Sequence, residues 1–168
     1  RNYLLTREIA DYHASYLDEI GSAYFSEEVF DDYYFGKGSS YPDIHGGIGI
    51  LFEQSSIRGR MRETSNGVKS LALAMKNQFT VSLSTLEASV NRRDDLLAYQ
   101  NEFYREALEL GNKSEVKAYV FGSEEDRVKA RKFVDFLSRH QIEVFQNAKD
   151  ADSFVVPVQQ KQYRLLTS

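Results

Sequence analysis

Apolar positions recur at helical spacing from the start of the chain. Ile9, Tyr12, His13, Tyr16 and Ile20 share one face, Thr6 can cap it and Gly21 can stop it, which predicts a helix over 7–20. After the short apolar piece Ala23-Tyr24-Phe25, Ser26 offers a second cap, and Glu27 and Glu28 suit the positive end of a helix dipole. From Gly36 to Gly47 the pattern dissolves into Gly, Ser and Pro, the composition of a loop. Ile48 to Gln54 is too continuously apolar for a half-exposed strand and predicts one covered on both faces. Arg58 to Glu63 then reads as a polar, cationic loop closed by Asn66-Gly67.

A long helical region follows. Val68, Leu71, Met75, Phe79, Leu83, Leu86 and Val90 fall on one helical face. Leu96, Phe103, Ala107 and Leu110 continue the pattern beyond Asn91-Arg92-Arg93-Asp94, and Gly111-Asn112 supplies the stop. In the last third, Val116–Phe121 reads as a strand and Ser123-Glu124-Glu125-Asp126 as a capping box. The helix it opens faces Ala130, Phe133, Val134 and Leu137 inward. Ile142–Phe145 and Phe154–Val158 are further short strands. Strand, helix, strand at this spacing predicts a right-handed βαβ unit with parallel strands. The change of character places a domain boundary near residues 111–115.

Composition narrows the classes. Hydrophobic residues at 42% and charged residues at 27% are a globular balance, and the net charge of -4 argues against a general nucleic-acid binder. The chain has no cysteine, which excludes disulfides, a thiol nucleophile and Cys-ligated zinc. No apolar run approaches the roughly 20 residues of a membrane span. Arg1 enters a helical pattern at once and Ser168 falls just inside another, so the sequence reads as an internal piece of a longer protein.

Glu53 is the residue to explain, because a carboxylate at the end of a buried strand is costly unless paired or used. It is either a general base or the partner of Arg58, Arg60 or Arg62. Gly36-Lys37-Gly38-Ser39 invites a phosphate-loop reading, but Asp31 stands where such a loop needs Gly, and Gly38 where it needs Ser or Thr. His13, His45 and His140 show no metal-ligand spacing. His13, on an apolar stripe, reads as a core histidine; His45, in the glycine loop, is a functional candidate. Glu27/Asp31 and Glu28/Asp32 read as a solvated helix start. No G-x-S-x-G elbow is present.

The loop Tyr34-Phe35-Gly36-Lys37-Gly38-Ser39-Ser40-Tyr41-Pro42-Asp43 and the segment Gly49-Ile50-Leu51-Phe52-Glu53-Gln54 together resemble the zinc metallocarboxypeptidases of the carboxypeptidase A-like family. There, a tyrosine-bearing loop precedes by about twenty residues a strand ending in the catalytic glutamate, and a long helix follows. The likeness covers residues 1–110 and is most specific over 33–67. It is nearest to a bacterial subgroup in which an α/β domain similar to class I glutamine amidotransferases follows the peptidase.

The resemblance implies an α/β fold. Residues 1–111 would be the C-terminal portion of a carboxypeptidase-like domain with a mixed sheet and long helices. Residues 115–168 would begin a Rossmann-like βαβ domain. It implies hydrolysis of C-terminal peptide or similar amide bonds, with Glu53 as general base on zinc-bound water. Tyr34, or Tyr33, corresponds to the tyrosine that covers the substrate, and Ser40 or Tyr41 to the specificity position. The family's His₂Glu zinc ligands and carboxylate-binding arginines have no counterpart here, so the chain by itself is expected to bind no zinc and to be inactive. The resemblance leans towards an extracytoplasmic location. A non-catalytic peptidase-like binding or assembly module is the alternative. Peptide substrate is the expected partner of the parent protein, with no nucleic acid and no membrane span. The apolar surfaces of a partial sheet also predict self-association.

Overall fold

Helix α1, Asn2–Glu19, begins before the expected cap. The Thr6 hydroxyl donates to the Asn2 carbonyl at 3.1 Å, so Thr6 lies inside the helix and does not open it. The end follows the sequence. Gly21 adopts φ 66°, its N–H reaches the Asp18 carbonyl, and the Ser22 N–H reaches the Leu17 carbonyl, the paired bonds of a Schellman stop. Leu5, Ile9 and His13, spaced four apart, are its buried residues.

The computed structural model describes residues 1–26, 34–122 and 126–168. The proposed cap at Ser26 would open a helix in residues that lie outside that set, as do Glu27, Glu28, Asp31, Asp32 and Tyr33. The chain mixes helix and sheet and divides into two units: Arg1–Asp43 with Gly47–Tyr99, and Ile44–Gly46 with Gln100–Ser168.

In the first unit, the single turn α2, Ser40–Asp43, interrupts the glycine loop. Strands β1, Met61–Thr64, and β2, Gly67–Ser70, form an antiparallel hairpin with Thr64 opposite Gly67, and Gly67 takes φ 93°. The sequence put a loop over 58–63 and counted Val68 into the helix. Both strands are mostly exposed, so their charged residues gave no alternating pattern to read. The Ser70 hydroxyl then accepts from the Leu73 N–H at 3.2 Å and caps α3, Leu71–Asn91. Helix α4, Arg93–Lys113, follows after a break at Arg92.

One expectation fails in this unit, the covered strand over 48–54. The long apolar face of α3 is exposed, and α3 packs on α1 through its smaller residues Val81, Ser84 and Ala88. Small side chains let two helix backbones approach closely, so the narrower face is the one that packs. No strand forms over 48–54: the segment is irregular, and Leu51, Phe52 and Glu53 are exposed. A strand exists through its ladder, and among the described residues no segment pairs with this one.

The second unit contains β3 (Ala118–Gly122), α5 (Arg127–Arg139), β4 (Phe145–Gln146), β5 (Ser153–Pro157) and α6 (Tyr163–Leu166). The sheet order is β3-β5-β4, with both pairs antiparallel. Strands β3 and β4 therefore run the same way, as the βαβ expectation requires, but β5 separates them. This corrects the expected parallel pair and with it the Rossmann-like start. The cause is local: the turn from Asn147 to Ser153 closes through backbone bonds and returns β5 directly against β4.

Asp126 caps α5 by accepting from the Lys129 N–H at 2.9 Å; Ser123, Glu124 and Glu125 lie outside the described residues. Ala130 and Leu137 are buried as expected, whereas Phe133 stays half-exposed, in edge contact with Phe121. Gly111 does not stop α4, which runs on to Lys113. Gly111 is a packing position instead, since a Cβ there would stand 2.7 Å from the Val158 carbonyl oxygen. Helix α4 ends within the stretch 111–115 where the sequence places a boundary, whereas the two units divide between Tyr99 and Gln100, inside α4.

Candidate functional site

The tyrosine loop and the glutamate segment are joined by one carboxylate. Asp43, the last residue of α2, accepts through Oδ1 from the Gly49 N–H at 2.9 Å and from Asn2 Nδ2 at 2.9 Å. Asn2 also donates to the Gly47 carbonyl and lies 3.3 Å from the Tyr99 hydroxyl. The clasp thus ties the start of α1, the end of the loop and the start of the 48–54 segment. Gly49 lies flat against the backbone of Ser39, where any Cβ would overlap the Ser39 carbonyl.

Around this clasp the candidate residues separate by exposure. Tyr34 is exposed, with its ring tilted against Phe35. Ser40 is buried at the start of α2 and Tyr41 is half-buried beside it. Glu53 is exposed four residues beyond the Gly49 contact. Among the described residues no arginine pairs with it. Arg62, one of its three proposed partners, instead donates to the Ser56 carbonyl at 3.2 Å. Glu53 is an accessible carboxylate.

His13 lies near this segment without joining the clasp. Its Nδ1 is 2.6 Å from the Ser84 hydroxyl, and its ring meets Phe52 edge-on at 4.7 Å. Nε2 is buried with no partner, and burial lowers the pKa of the imidazole below its usual 6.5. That identifies a core histidine, as the apolar stripe suggested. The sign follows from linkage: the unfolded chain binds the proton more readily, so stability is fully present above pH 6.5 and falls as pH drops below it. Chemical denaturation at stepped pH should show this loss, and His13→Gln should flatten it.

The other histidines lie in the second unit. The backbone carbonyl of His45 accepts from the Tyr104 hydroxyl at 3.0 Å, and His140 packs edge-on to Phe136. Among the described residues no three His, Cys, Asp or Glu side chains stand together to hold a metal, and no helix is long and apolar enough to cross a membrane. Sequence reasoning missed Asp43 and Ser84. Pro42-Asp43 before a glycine run was a legible turn signal for the first. For Ser84 the only signal was a small residue facing the histidine stripe. Compared with known families, curated proteins and solved structures, the chain matches none.

Proposed function

We propose that the chain is the part of a zinc-dependent carboxypeptidase that carries the general base and the substrate-covering loop. Glu53 takes a proton from the attacking water as its oxygen bonds to the scissile carbonyl carbon, then delivers it to the amine leaving from that carbon. Tyr34 covers the bound C-terminal residue, with Tyr33 its rival for that role, and Ser40 and Tyr41 shape the specificity pocket. The observation that carries the reading is the Asp43 clasp, which binds a tyrosine-bearing loop to a segment presenting an exposed glutamate that no arginine pairs among the described residues. The described side chains of this chain do not fit a zinc site, so none of them is assigned to the metal.

A second reading, a peptidase-like module that binds or assembles without catalysis, is favoured by the exposed apolar face of α3. Elemental analysis and a peptide-release assay separate the two. The isolated chain should hold well under one zinc per molecule and release no C-terminal residue. A longer protein containing it should release that residue in a chelator-sensitive reaction. A tightly bound equivalent of zinc on the isolated chain overturns the division of roles. A longer protein that binds peptides but never cleaves them overturns the peptidase reading in favour of the module.

A further inference from the structure

Helix α3 has two unlike faces. One carries Val81, Ser84 and Ala88 and is buried on α1. The other carries Leu71, Met75, Phe79, Leu83, Leu86 and Val90, with exposures from 42% at Leu83 to 73% at Val90. At 3.6 residues per turn these six fall within a sector of about 120° on the side away from α1. At about 100 Å² per side chain the stripe offers roughly 600 Å², the size at which exposed apolar surface usually marks a binding site.

From this face we infer that α3 pairs with α3 of a second copy, antiparallel across a two-fold axis near Val81. The charge pattern selects this occupant. Lys76 and Glu87 are the only charged residues of α3, and helical spacing puts both on the same flank of the stripe. In the antiparallel arrangement Phe79 opposes Leu83, Met75 opposes Leu86, and Lys76 meets Glu87 of the other copy. A parallel arrangement would carry this flank to opposite edges of the seam in the two copies and leave Lys76 and Glu87 without each other. The area is sufficient: two such stripes bury roughly 1,200 Å², within the range of specific interfaces. The pairing is isologous and closed, so it gives dimers and not filaments. It does not depend on the peptidase reading.

Sedimentation of the chain at tens of micromolar tests the pairing. A dimer is expected, with Phe79→Glu/Leu86→Glu shifting it to monomer at unchanged helix content. Because the chain has no cysteine, introduced thiols report the register directly. Met75→Cys/Leu86→Cys should oxidise to a covalent dimer, while Met75→Cys alone should not. A wild-type monomer overturns the proposal and leaves the face to a different partner. A dimer untouched by the glutamates, or one cross-linked by Met75→Cys alone, overturns it as well.

Discussion

Glu53→Gln in the catalytically complete protein is expected to lower peptide hydrolysis by about 10²–10⁴-fold, the usual contribution of a positioned general base. Glutamine keeps the size and the hydrogen-bonding oxygen but cannot take a proton, so peptide affinity should be nearly unchanged and the loss should fall on turnover. The structure makes this a clean substitution. Glu53 is exposed and pairs with no arginine among the described residues, so removing its charge leaves no buried cation behind. Fold stability should accordingly stay within about 0.5 kcal/mol of the parent. Equal turnover for Gln and Glu, measured on a chromogenic peptide with folding checked by circular dichroism, would leave Glu53 a surface residue. A loss confined to stability would restore the reading in which an arginine partners it.

Legibility in the sequence tracked how local each feature is. The Gly21 stop and a helix over most of 68–90 depend on neighbours a few residues away, and periodicity or turn chemistry finds such features; the capping-box pattern located the start of α5, though its cap is Asp126. Choosing which face of α3 is buried requires knowing its partner. The six large residues form the more obvious stripe, yet α1 packs on the smaller one, and nothing in the spacing of α3 reports that choice. Strands failed for the same reason. Residues 48–54 have the composition of a buried strand, but among the described residues they meet no ladder partner. The β3-to-β4 crossover was legible as direction, while the insertion of β5 between them is set by a six-residue turn that favours the nearest hairpin. At the candidate site the loop and Glu53 were legible as residue types, and the Asp43 bonds that join them were not.

Those bonds give the second large expectation, Gly49→Ala. A methyl group at Gly49 would overlap the Ser39 carbonyl, and backbone on both sides leaves no flexible side chain to yield. Overpacking of this kind costs typically 1–3 kcal/mol, and a clash with main chain belongs at the upper end, so about 3 kcal/mol of stability should be lost. Gly38→Ala is the matched control, because open space surrounds its Cβ, and it should be nearly silent. Asp43→Ala approaches the same contact from the other side. It strands the Gly49 N–H and takes from the Asn2 amide one of its acceptors, leaving it the Gly47 carbonyl and the Tyr99 hydroxyl, at about 1–3 kcal/mol. If the clasp is one unit, the double variant should cost clearly less than the sum of the two single ones, since the first substitution already releases what the second would break. Urea denaturation of the four proteins measures this coupling. Additive losses would mean that the Ser39–Gly49 contact and the Asp43 bonds hold the loop independently. A coupled loss, with tyrosine near-ultraviolet dichroism changed in all but Gly38→Ala, would mean that the loop and the Glu53 segment are positioned together by the carboxylate of Asp43.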